Sequence, residues 1–125
     1  MLAWKETRET RRAALDALSL LQRAVHVTVV EISAEKDLSS ARQRLADVSC
    51  WLSRHGIIAE TLAVAALHDN ASQDDDGEQL ESVARRSGAN LIVAGAYGHS
   101  RLREWAFGSV TRALIHGDRC ALLSH

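Results

Sequence analysis

The chain has 125 residues, 46% of them apolar and 25% charged, with a net charge of −1. That is one domain of ordinary globular composition, and it excludes both a disordered chain and two full-sized domains. The even charge balance argues against a nucleic-acid backbone or an anionic membrane as partner, and no apolar run approaches the roughly 20 residues of a bilayer span.

Leu2-Ala3-Trp4 reads as the tail of a buried strand. Thr7 or Thr10 is placed to cap a helix. Ala14, Ala17, Leu18 and Leu21 then recur at helical period, which predicts one continuous helix. Val27 to Ile32 is rich in β-branched residues and reads as a strand. A second helix, capped by Asp37, Ser39 or Ser40, turns Ala41, Leu45, Val48 and Leu52 inward and closes at Gly56. Ile57 to Val64 is the third strand. The stretch from His68 to Asp76 is polar and acidic and reads as a loop.

A third helix is expected from about Asp76, with Leu80, Val83, Ala84 and Ser87 inside and Gly88 as its cap. Leu91 to Ala94 is apolar without alternation, the mark of a parallel strand buried on both faces. Ser109 opens a short fourth helix with Val110, Ala113 and Leu114 inward, and Cys120 to Leu123 forms a last strand. The order β-α-β-α-β-α-β-α-β implies an α/β fold with a parallel sheet and helices on both faces. In such sheets ligands bind beyond the carboxyl ends of the strands, where the strand order reverses.

One segment carries chemistry. Gly95-Ala96-Tyr97-Gly98 is followed, after nine more residues, by Gly108-Ser109. Glycines between a buried strand and a helix permit positive φ or close approach of a ligand. The free N–H groups of a helix starting at Ser109 suit an anion, and the Ser109 hydroxyl adds a donor. The plainer reading is that these glycines only turn the chain.

Gly-x2-Gly-x9-Gly-Ser after a buried strand resembles the nucleotide loop of the universal stress protein (UspA-type) family. The wording from Leu91 to Glu104 and from Phe107 to Arg112 is similar to its tandem-domain branch, particularly the second domain, as are Arg8-Glu9 and Arg11-Arg12-Ala13. The resemblance covers almost all of residues 1–125 as a single domain. It implies a five-stranded parallel sheet in order 3-2-1-4-5. It also implies an adenine nucleotide, ATP or AMP, with or without Mg²⁺, held by Gly95, Gly98, Gly108 and Ser109, with adenine near Ile32. A role in stress response or signalling in the cytoplasm goes with it.

Two departures stand out. Nucleotide-binding members carry an Asp straight after the first strand. Here Lys5 stands there, able to pair with phosphate but not to ligate a metal, and Glu6 follows. The first strand is also short, which suits a mis-started gene product or the second half of a two-domain protein.

No nucleophile or general base is placed by spacing, so catalytic residues and a metal site are not expected, and hydrolysis of ATP would be slow. His99, Arg101 and Arg103 read first as loop contacts. Asp74 to Asp76 reads as a solvated run, Trp4 and Trp51 as core or partner contacts, and Cys50 and Cys120 as small buried hydrophobes. The last strand, apolar and at a sheet edge, is expected to pair in a homodimer or against a sister domain. Two other functions stay open: a ligand-free dimerisation module of the same fold, and a slow ATPase.

Overall fold

The computed structural model describes residues 1–67, 73–96, 114, 117 and 119–125. Five parallel strands form one sheet: β1 (Leu2–Ala3), β2 (Val27–Ser33), β3 (Ala59–Ala65), β4 (Leu91–Gly95) and β5 (Cys120–Ser124). Their order is β3-β2-β1-β4-β5, as expected from the family resemblance. The helices are α1 (Arg8–Asp16), α2 (Leu18–Leu21), α3 (Leu38–Arg54) and α4 (Gln73–Arg86), with a 3₁₀ turn at Glu35–Asp37.

Side chains alternate across the sheet, so consecutive apolar residues serve opposite layers. Leu2, Val29 and Val93 pack with Ala13, Ala14, Ala17 and Leu21 of the first helical segment and Leu45, Val48 and Leu52 of α3. Val30, Ile92 and Ala94 pack on the other face with Leu80, Val83 and Ala84 of α4 and with Leu114. The unbroken run Leu91 to Ala94 is therefore explained by burial on both faces.

Thr7 is the N-cap of α1, its hydroxyl accepting from the Thr10 amide at 3.3 Å. The single helix expected from residue 14 to 21 is instead two, broken at Ala17, whose φ of −89° and ψ of −3° lie outside the helical centre. Asp37 holds the N-cap position of α3 without a side-chain capping bond. Gly56 and Gly88, at φ 76° and 65°, close α3 and α4 in the left-handed conformation that glycine tolerates.

Three expectations need correction. α4 starts at Gln73, ahead of the expected start near Asp76, because acidic residues favour a helix N-terminus as much as a loop. Ser87 lies past its end and is exposed. Cys50 and Cys120 are both exposed free thiols, not buried hydrophobes. Cys50 falls between the inward Val48 and Leu52 and so points off the apolar stripe. The proposed helix from Ser109 lies outside the described residues except at Leu114, which is helical and buried. Among the described residues no helix is long and apolar enough to cross a membrane.

Candidate functional site

The strand order reverses at β1. From there the chain runs outward to β2 and β3, then returns to β4 on the other side. Leu2 and Ala3 pair with Val29 and Val30 on one side and with Val93 and Ala94 on the other. The segments leaving β1 and β4 therefore start side by side, at the place where open α/β sheets hold ligands.

Trp4 extends the pairing, its amide donating to the Val30 carbonyl at 2.7 Å. Lys5 follows, exposed and without an ion pair among the described residues. Its carbonyl accepts from the Thr7 amide at 2.7 Å, which turns the chain into α1. Glu6 is held by an ion pair with Arg11.

Gly95 ends β4 opposite Ser124, and the next amide, of Ala96, donates to the Ser124 carbonyl at 2.7 Å. A Cβ on Gly95 would come within 2.5 Å of the Thr10 amide nitrogen and 2.7 Å of the Glu9 carbonyl carbon. This glycine thus lets the first turn of α1 sit directly on the end of β4. Ile32, the next-to-last residue of β2, is half-buried against the α4-side core. The neighbouring Ser33 hydroxyl is buried without a hydrogen-bond partner among the described residues. Gly98, Gly108 and Ser109 lie outside the described residues, as do Tyr97, His99, Arg101, Arg103 and Trp105. The site is therefore seen at Lys5, Ile32 and Gly95 only.

A family model, "Universal stress protein family", matches residues 1–123. The chain belongs to the universal stress protein family. Its fold is that of the solved universal stress proteins. Universal stress protein UspA from Lactobacillus plantarum is 14% identical at a TM-score of 0.76, covering 99% of this chain and 94% of that one. A family member from Burkholderia pseudomallei is 21% identical at 0.72, covering 98% and 91%. The universal stress protein from Archaeoglobus fulgidus is 21% identical at 0.70, covering 98% and 95%. No curated protein matches the chain.

The sequence reading passed over one feature of this universal stress protein domain. Glu31 is buried in β2, and Arg44 of α3 meets its carboxylate through both Nε, at 3.0 and 3.2 Å, and Nη2. The hydrogen bond to Glu31 holds the Arg44 guanidinium above its ordinary pKa. The signal was in the sequence: Glu31 interrupts an otherwise apolar stretch of strand, and a charge there needs a partner. Among the described residues no three metal-ligating side chains cluster. The backbone of Asp74 to Asp76 is in α4, but their side chains lie outside the described set.

Proposed function

We propose that this universal stress protein domain binds an adenine nucleotide, ATP or AMP, beyond the carboxyl ends of β1 and β4. The observation that carries it is the reversal of strand order at β1. It starts the segment that carries Lys5 beside the end of β4, whose last residue, Gly95, is the first glycine of the Gly-x2-Gly-x9-Gly-Ser loop. An ammonium with no carboxylate partner among the described residues suits a phosphate, and the Ser33 hydroxyl, buried with no hydrogen-bond partner among those residues, adds a polar group at the same end of the sheet. Gly98, Gly108 and Ser109 would complete the phosphate cradle, with adenine near Ile32. Nucleotide occupancy then changes the surface offered to a partner, in stress response or signalling in the cytoplasm. The partner is a second copy, or a sister domain, along β5. Any hydrolysis is slow, since the spacing of the sequence places no nucleophile or general base.

A ligand-free module of the same fold is the second reading. It is favoured by the packing role of Gly95, which needs a glycine with or without phosphate, and by Glu6 being tied to Arg11.

Calorimetry with ATP and AMP, with and without Mg²⁺, tests the first reading. Gly108→Val should abolish binding while the fold survives. Ser109→Ala should lose about one charge-assisted hydrogen bond, on the order of 1.5–3 kcal/mol. Lys5→Asp should weaken binding without Mg²⁺ and create a Mg²⁺ requirement. No binding by the parent at millimolar nucleotide would leave the ligand-free module.

A further inference from the structure

On one face of the sheet, α1 and α3 pack on different strands. α1 packs on β4 and β5, and α3 packs on β2 and β3. β1 lies between them and is only two residues long. Trp4 follows directly, and a cleft of about 430 Å³ opens above it between α1 and α3. That volume falls within the range of small-molecule sites, roughly 300–1,000 Å³.

The apolar lining is Trp4, Ala14 and Leu15 on one side and Val48 and Trp51 on the other. Trp51 is braced by His55, whose ring meets it edge-on with centroids 4.8 Å apart. Leu15 is an apolar side chain left 56% exposed at the mouth. The charged lining decides what class of molecule fits. Arg11 already holds Glu6, and Arg44 already holds Glu31. Asp47 adds a negative charge. The cleft thus offers two aromatic rings, and among the described residues its two arginines face three carboxylates, Glu6, Asp47 and the adjoining Glu31, a local balance of −1 that disfavours an anion.

We propose that this cleft binds a small uncharged aromatic molecule. The proposal does not rest on nucleotide binding at the glycine loop. The occupant lies between the indoles of Trp4 and Trp51, with Leu15 and Val48 against its edges. Aromatic faces and apolar walls supply the attraction, and removal of its surface from water supplies the drive.

The indole N–H signals of the ¹⁵N-labelled full chain report on the site, since Trp4 and Trp51 line it and Trp105 belongs to the glycine loop. Titration with 2-naphthol should move the Trp4 and Trp51 signals together, saturably, below about millimolar concentration. The anion 2-naphthoate, of similar size, should bind about fivefold or more weakly, because three carboxylates around the cleft outnumber its two arginines. Leu15→Glu, an exposed change that leaves the melting temperature in place, should weaken 2-naphthol about tenfold. Millimolar ATP should leave the 2-naphthol response unchanged, whether or not ATP itself binds. The proposal is overturned by the absence of a saturable shift, by tighter binding of 2-naphthoate, or by unaltered affinity in Leu15→Glu. It is equally overturned if ATP displaces the probe, which puts it in the nucleotide site. Movement of the Trp4 and Trp51 signals with protein concentration alone would assign the cleft to a second copy of the chain.

Discussion

At Gly95 the absence of a side chain has a structural cause that the sequence pattern does not reveal. The loop motif suggests a glycine cleared for phosphate, and the structure shows one cleared for a helix. Its would-be Cβ meets the backbone of Thr10 and Glu9, which cannot swing aside as a flexible side chain can. Gly95→Ala should therefore destabilise the ligand-free protein by about 1–3 kcal/mol, the usual cost of overpacking. Urea unfolding without nucleotide should show a lower midpoint at unchanged slope. A parent-like midpoint would mean that α1 yields and that the glycine serves the ligand alone.

Arg44 makes the second prediction at this scale. Its side chain is 31% exposed while that of Glu31 is 6% exposed, so the pair is wet on one side. Arg44→Met strands the carboxylate but also lets water approach it. The expected cost is about 2–3 kcal/mol, below the 3–5 kcal/mol of a fully buried pair. The Arg44 pKa is raised in the fold, so its contribution is complete below the ordinary arginine value and fades only as pH climbs through the higher folded value. Stability from this pair should thus be flat through the alkaline range. Arg44→Lys should introduce a loss near pH 10, where lysine gives up its proton, visible as a falling melting temperature.

Among the elements, those with a strong period were legible and those decided by local geometry were not. Ala41, Leu45, Val48 and Leu52 mark the inner face of α3, and all four are buried. The same reasoning joins Ala14, Ala17, Leu18 and Leu21 into one helix. It misses the break at Ala17 because α2 resumes on the same face of the core, so the apolar period runs straight through. The start of α4 was missed because three aspartates fit either a solvated loop or a helix N-terminus. Within the site, Lys5 and Gly95 were legible from their order in the chain. The commitment of Glu6 to Arg11 was not, because an exposed carboxylate has several arginines within reach in sequence. The cleft at Trp4 was not legible either, since it joins residues of α1 and α3 that meet only in the fold and not through any spacing. At the sheet edge, β5 leaves Cys120 and Ala121 exposed and its outer backbone without a neighbouring strand among the described residues. If the chain dimerises along this edge, Ala121→Asp should turn a dimer into a monomer by light scattering. A parent that is monomeric at high micromolar concentration would exclude that assembly.

For the whole molecule, the two-residue central strand has a consequence in the order of folding. β2 and β3 adjoin with one helix between them, and they pair along seven residues, from Val27–Ala59 to Ser33–Ala65. That half of the sheet has what it needs once the first half of the chain exists. β1 instead matches Leu2 to Val93 and Ala3 to Ala94, near the far end of the sequence. Its short length gives little reward for that long loop closure. On the ribosome, β1, β2 and β3 would emerge first, and the outer edge of β1 would stay bare until β4 arrives. Joining the two halves is then a late, high-contact-order event, and it sets a slow folding rate for a domain of this size. Amides of β2 and β3 should accordingly gain protection from hydrogen exchange before those of β4 in a pulse-labelled refolding reaction.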